Sequence, residues 1–460
     1  MAESDVRDVY LRLDRPEVRV GLVVVALVAA GATLLWVRAG HRVVQLSSAL
    51  DGANLTAALE YVPDHPLVHR RLGLLSLYDP LTLEPLRAVD HFRRAARGNP
   101  FDFQSWMLLG QALETAGQGE AAERAYRKAL ERAPRYFLPR WLYANFLLRQ
   151  GANARALAAF EQAVEANPPA AEIFSDMIWQ SSSAAPHDLV QAALRLRSPE
   201  AREIITGYLI ARGETDEALR LWENLTWDAS GMERLTRSLV AELMRQKQFG
   251  RAARVWHDGM KRKGYAVSDG DERFWNGGFE YGLAPVTSEP GFDWCVRSTS
   301  DVKTDIVESG ASAGRRALKL TFLAREQVTF AGVSHSLALS PATAYRLRFR
   351  YRTKEMVAPT GLLVEIARGF GDGALSLLTR SRPLGPSANW AEVCLPFETP
   401  ATDDLITVRI VRRPIGPLYD YISGSVWFDE FTVEPVSSAH SACDDLSGEG
   451  SRLDQRGDVR

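Results

Sequence analysis

The sequence predicts a multidomain protein: an N-terminal transmembrane helix, then an all-α superhelix of stacked helical hairpins, then a C-terminal all-β sandwich. Three observations predict it. Residues 20–37 hold eighteen positions without a charge, and residues 72–168 repeat one pattern of small, aromatic and proline positions every 34 residues. From residue 265 onward, helical spacing gives way to two-residue alternation broken by Gly and Pro. The expected boundaries are an arm at 1–19, the span at 20–37, a connector at 38–64, helical repeats at 65–264, the sandwich at 265–436 and a tail at 437–460.

A length of 460 residues allows two or three domains with real cores. Fifty-five Lys plus Arg stand against 57 Asp plus Glu, so general phosphate attraction is absent and no nucleic-acid partner is expected. The apolar run at 20–37 is bracketed by Arg19 and Arg38 and carries Trp36 near one end, as a membrane span should. A cleavable signal is the alternative, because Val37-Arg38-Ala39 approximates a small-x-small site. The long preceding arm with five acids favours an uncleaved anchor. Arg7, Arg12, Arg15 and Arg19 precede the span, while Arg38 and Arg42 are the only close basic residues after it. The positive-inside rule then places the N-terminus in the cytoplasm. The bulk lies outside it, which in a two-membrane bacterium means an inner-membrane protein facing the periplasm.

The repeat is carried by four columns: Ala88, Ala122 and Ala156; Phe92, Tyr126 and Phe160; Ala95, Ala129 and Ala163; Pro100, Pro134 and Pro168. Gly110 and Ala122 are small where two antiparallel helices must meet, and the aromatic column fills the space between successive hairpins. Each proline stops a helix. This 34-residue pattern, with Trp106, Leu109, Gly110 and Leu113 in the middle copy, resembles the tetratricopeptide repeat (TPR). The first copy carries about three extra residues around Asp79-Pro80-Leu81. Beyond Pro168, Leu209, Ala218, Trp222 and Leu225 predict one hairpin, and Leu239, Leu243, Ala252 and Trp256 another; residues 181–186 read as a loop. The resemblance implies a concave face that holds a protein partner. The residues expected on it are Gln104, Met107, Gln111 and Glu114, followed by Leu138, Trp141, Asn145 and Leu148. Trp141 serves as an apolar anchor and Asn145 as a backbone donor, or else they only pack and take up water.

In the C-terminal part, Tyr345, Leu347, Phe349 and Tyr351 alternate with Arg346, Arg348, Arg350 and Arg352, which makes one face core and the other polar. Similar runs at 317–322, 362–366, 390–397, 406–410 and 425–433 predict an antiparallel sandwich. The runs Asn276-Gly277-Gly278-Phe279-Glu280, Gly314-Arg315-Arg316-Ala317-Leu318 and Val426-Trp427-Phe428-Asp429-Glu430-Phe431, together with Trp294, resemble carbohydrate-binding modules of the galactose-binding jelly-roll type. That resemblance implies a structural Ca2+ between Glu280 and Asp429, with carbonyls of residues 309–314 as further ligands; carboxylates without metal are the alternative. It also implies a glycan face, for which the polar rows offer Arg346, Arg348, Arg350, Glu365, Thr407 and Arg409. The arginines suit an acidic polysaccharide, and a solvated sheet explains them too. Trp294, Trp390 and Trp427 read as core. Cys295 and Cys394, both in predicted strands, could form a disulfide in an exported domain, and the sequence leaves open whether they are close. Residues 437–460 read as disordered.

No catalytic signature emerges. The eight histidines form no H-E-x-x-H motif, and neither a G-x-S-x-G elbow nor a phosphate-binding G-x-x-x-x-G-K-[ST] loop occurs. His65 and His69 read as a surface pair. Residues 369–373 read as a β-turn. The expectation is therefore a non-enzymatic, membrane-anchored scaffold with a protein partner and a polysaccharide ligand, in exopolysaccharide assembly or export at the cell envelope. A pure protein-interaction adaptor is the alternative.

Overall fold

The structure is a computed structural model. It describes residues 16–48, 51–79, 83–181, 183–225, 229–265, 273–283, 291–297, 299–323, 328–358, 361–369, 375–402, 405–413, 421–437 and Cys443. Residues 1–15 of the expected arm at 1–19, residues 370–373 of the expected turn at 369–373, and all of the expected tail at 437–460 save Ser437 and Cys443 lie outside these residues. The chain divides into two compact units, Met1–Phe174 with Arg195–Ala201, and Ser175–Leu194 with Arg202–Arg460.

Fourteen α-helices precede the strands among the described residues. The first, α1 (Pro16–Ser48), has 33 residues and an apolar window of mean hydropathy 2.5 that is fully exposed. At 1.5 Å per residue it measures about 50 Å, against roughly 30 Å of bilayer hydrocarbon. It is long and apolar enough to cross a membrane with turns to spare. Those turns are used: Val43 is buried with Leu55 and Ala58 of α2 (Gly52–Tyr61) and Val68 and Leu72 of α3 (Pro66–Tyr78). The expected connector is thus a packed layer of helices.

Three hairpins follow the predicted period: α3 with α4 (Pro85–Gly98), α5 (Phe103–Thr115) with α6 (Gly119–Arg132), and α7 (Phe137–Arg149) with α8 (Asn153–Ala166). Ala88, Ala95, Ala122, Ala129, Ala156 and Ala163 are sealed from solvent, as are Phe92, Tyr126 and Phe160. A Cβ on Gly110 would lie 3.0 Å from the Tyr126 ring, so only hydrogen fits comfortably there. Each second helix ends just before its proline column.

Past Pro168 the chain differs from expectation. A 3₁₀ turn at Pro168–Ala170 leads into α9 (Ala171–Ser181) and α10 (Ala185–Arg195). Residues 181–186 therefore join two helices instead of separating two repeats, and Pro186 sits in the first turn of α10, where no amide donor is lost. The remaining helices are α11 (Pro199–Ala211), α12 (Thr215–Glu223), α13 (Ala229–Arg245) and α14 (Phe249–Arg262).

Among the described residues ten strands build the sandwich: β1 (Trp294–Val296), β2 (Val302–Val307), β3 (Ala317–Phe322), β4 (Phe330–Ala338), β5 (Ala344–Val357), β6 (Leu363–Arg368), β7 (Ser376–Arg380), β8 (Ala391–Glu398), β9 (Leu405–Arg412) and β10 (Ser423–Pro435). One sheet runs β1-β4-β9-β6-β7 and the other β2-β3-β10-β5-β8, with every described pairing antiparallel. Successive strands mostly change sheet, which wraps the two layers as a jelly roll. Leu347, Phe349, Val426, Phe428, Ile366, Val408 and Ile410 fill the space between them. Within the same compact unit, α14 packs on this domain: Trp256 abuts Gly291, and His257, Tyr265, Trp275 and Tyr281 form an aromatic junction.

Candidate functional site

On the helical repeats the expected partner residues take different positions. Gln104 is exposed, and Leu138 and Leu148 present apolar surface. Met107 is core. Gln111 Oε1 accepts from the Tyr78 hydroxyl at 3.3 Å, and Glu114 takes Arg149 at 2.6 Å and the Tyr126 hydroxyl at 3.1 Å. Trp141 is wedged edge-on against Phe160 with its centroid 4.9 Å away, beside Phe137, and Asn145 Nδ2 donates back to the Trp141 carbonyl at 2.9 Å. Trp141 and Asn145 thus serve the hairpin first. Local spacing could not reveal which residues the neighbouring helix would claim.

His65 and His69 are not a surface pair. His69 is buried, its Nε2 donates to the Pro63 carbonyl at 2.8 Å, and its Nδ1 then accepts from His91 Nδ1 at 3.1 Å. His65 Nδ1 accepts the Val68 amide at the start of α3. Burial, and then the neighbouring His69, lower the His91 pKa to about 4; burial also lowers that of His69. No group of three or more metal-ligating side chains occurs among the described residues.

In the sandwich, Asn276-Gly277-Gly278-Phe279-Glu280 is an architectural knot. The Trp294 indole donates to the Asn276 carbonyl at 2.9 Å, Phe279 stacks on Trp294 at 4.8 Å, and a side chain on Gly277 would collide with the Phe431 carbonyl. The two carboxylates expected to hold Ca2+ are met by amides. Glu280 Oε1 accepts from the Arg315 and Arg316 backbone at 2.7 and 3.0 Å; Asp429 Oδ2 accepts from Ser312 and Ala313 at 2.7 and 3.2 Å, and its Oδ1 from Glu430. Burial pushes the Asp429 pKa up, against those three amide bonds. A cation needs oxygens where this loop offers N–H groups, so the donor set does not fit calcium at these atoms.

The residues expected to bind glycan fall on two sheets. Arg346, Arg348 and Arg350 point outward from β5, and each is neutralised: Arg346 by Glu434 at 2.7 Å, Arg348 by Glu392 at 4.0 Å, and Arg350 by Glu392 and Glu430 at 3.5 Å. Glu365, Thr407 and Arg409 point outward from β6 and β9 on the opposite sheet. Thr407 donates to the Gly369 carbonyl. Glu365 is sealed from solvent although it faces away from the core, and its Oε2 takes Arg409 at 2.7 Å and Arg413 at 3.0 Å. Its Oε1 has no hydrogen-bond partner among the described residues. Arg413 escaped the sequence reading, because the loss of strand pattern after β9 gives no sign that it turns back to Glu365.

The Cys295–Cys394 pairing that the sequence left open does not form. Cys394 bonds Cys443, with Cα atoms 5.9 Å apart, and Cys295 is a free thiol. Cys295 and Cys394 sit on β1 and β8, in different sheets. Trp294 is core as predicted. Trp427 instead lies on the outer face of its sheet between Lys319 and Arg352, whose guanidinium also meets Trp390.

The family of the PRP39 N-terminal HAT repeat matches residues 90–236, within the helical region. The helical region is similar to these TPR-like repeats. Among solved structures, MamA from MSR-1 is 25% identical with a TM-score of 0.23, over 25% of this chain and 64% of that one, so this chain spans less than two-thirds of MamA. A CBM4 structure is 14% identical with a TM-score of 0.27, over 35% of this chain and 99% of that one. The CBM22-1 xylan-binding domain of Paenibacillus barcinonensis Xyn10C is 16% identical with a TM-score of 0.23, over 32% and 86%. No curated protein matches the chain.

Proposed function

We propose that this chain is a non-catalytic scaffold, anchored in the bacterial inner membrane by α1, whose helical repeats hold a protein and whose sandwich holds a glycan outside the cytoplasm. The setting proposed is assembly or export of a cell-surface polysaccharide. The observation that carries the glycan reading is Glu365: a buried carboxylate oxygen without a donor among the described residues is costly, and a sugar hydroxyl reaching it as the exposed Arg413 side chain moves aside would satisfy it. Arg409 and Arg413 fix the carboxylate, while Ser334 and Arg380, the cross-strand neighbours of Arg409 and Glu365, flank it. The Cys394–Cys443 disulfide supports the extracytoplasmic side, since such bonds persist in oxidising compartments. On the helical repeats, Gln104, Leu138 and Leu148 are the surface open to a protein partner.

The test is a glycan array probed with the full chain in nanodiscs, alongside Glu365→Gln. Binding of one glycan class that Glu365→Gln weakens at least about tenfold is expected, since a hydrogen bond to a charged group contributes about 1.5–3 kcal/mol. Chelator should leave the affinity unchanged. No retained glycan, or a variant that binds like the parent, would leave the protein adaptor as the reading.

A further inference from the structure

The outer face of the β2-β3-β10-β5-β8 sheet carries a second feature, on the opposite layer from Glu365. Three residues lie side by side across three strands: Lys319 on β3, Trp427 on β10 and Arg352 on β5 are register partners. The Lys319 ammonium stands 5.0 Å from the Trp427 ring centroid, and the Arg352 guanidinium 4.6 Å from Trp427 and 5.4 Å from Trp390. Two tryptophans therefore hold one guanidinium in a fixed plane. One row along, Thr321 and Ser425 share a hydroxyl hydrogen bond of 3.2 Å, and Lys354 is the register partner of Ser425.

What separates Arg352 from the other arginines of its strand is its lack of an anion. Arg346, Arg348 and Arg350 each have a glutamate within 4.0 Å. Among the described residues no carboxylate or hydrogen-bond acceptor meets Arg352, and its Nε, like that of Arg348, is buried without a partner. Asp305, opposite Lys319 in register, is taken by Lys303 at 3.0 Å. A guanidinium clamped between rings has already lost its side-chain entropy, and its planar fork matches a carboxylate in bidentate fashion.

We infer that this face is an anion-binding surface for carboxylate-bearing sugar residues of an acidic polysaccharide, with Arg352 taking the carboxylate and Lys319 a second charge about 10 Å away, two strands over. The Thr321 and Ser425 hydroxyls beside them fit a hydroxyl-rich chain. A single-stranded nucleic acid fits poorly, because it needs open ring faces on which bases stack, and Trp427 is 8% exposed beneath its cations. The surface shares no residue with the Glu365 face, and the two stand or fall separately.

The experiment measures binding of an oligogalacturonate to the full chain in zwitterionic nanodiscs at low and high salt. Affinity should fall as salt rises, and Arg352→Ala and Lys319→Met should each weaken it about tenfold or more. Arg352→Lys should retain part of it, because charge persists and the fork does not. Arg346→Ala removes a guanidinium already paired with Glu434 and should bind like the parent. Lys319→Met leaves the tryptophan clamp intact, so it reports on binding even if Arg352→Ala lowers the melting temperature. The inference is overturned if oligogalacturonate does not bind, if Arg346→Ala costs as much as Arg352→Ala, or if an oligothymidylate binds as tightly.

Discussion

The helical hairpins and the sandwich satisfy their polar groups over different distances along the chain. Among the hairpins, Arg70 pairs with Asp102, Glu114 with Arg149 and Glu161 with Arg195, each across 32 to 35 residues, which is one repeat. In the sandwich, Glu365 reaches Arg409 across 44 residues, Arg346 reaches Glu434 across 88, and Asp429 reaches Ser312 across 117. A repeat that contacts only its neighbours loses stability locally, whereas a domain closed by long-range contacts loses it as a whole. The last hairpin belongs with the sandwich in this respect, because α14 shares its aromatic junction.

The largest break in that comparison should come from Trp294→Ala. Its ring is buried against Phe279, Phe431 and His335, with centroids 4.8 to 5.1 Å away. The expected cost is about 3–5 kcal/mol. Urea unfolding followed by hydrogen exchange should show the strands and α14 failing together while α3 to α8 stay protected; independent loss of α14 would contradict the shared junction.

A smaller effect should come from acid and act on the first unit. His91, held neutral with a pKa of about 4 against an ordinary 6.5, takes up its proton more readily when unfolded. Stability is then complete above pH 6.5 and declines as the pH falls from 6.5 towards 4. Thermal melts of His91→Gln across this range should show a shallower decline than the parent; an unchanged slope would remove the His69–His91 contact as its cause.

The smallest effect should come from Arg149→Ala. Arg149 is 55% exposed and Glu114 keeps the Tyr126 hydroxyl, so about 0.2–1 kcal/mol is expected in a denaturant titration. A cost above about 2 kcal/mol would mean that inter-repeat ion pairs hold the stack, in place of its alanine and aromatic columns.

How much was legible differs in the same way. Ala122, Gly110 and Tyr126 could be read because a repeat prints each contact as a column. The six predicted strands are present, since alternation is local, but β1, β2, β4 and β7 are too short or too mixed to announce themselves. The candidate faces were less legible. Alternation put Arg346, Arg348, Arg350 and Arg352 on one face, yet nothing local said that glutamates from β8 and β10 would take the first three. The same blindness joined Glu365 and Arg409 to that row, although they face the other way from the other sheet.

Composition and periodicity by themselves determined the apolar N-terminal helix, the hairpin repeat and the layered sheets, because each depends on residues within about one repeat of one another. Tertiary structure alone decided that Cys394 bonds Cys443, that His69 meets His91, that amides meet Glu280 and Asp429, and that Arg352 is left without a carboxylate. The first three join residues at least 22 apart, and such pairings are set by the closing of the whole chain.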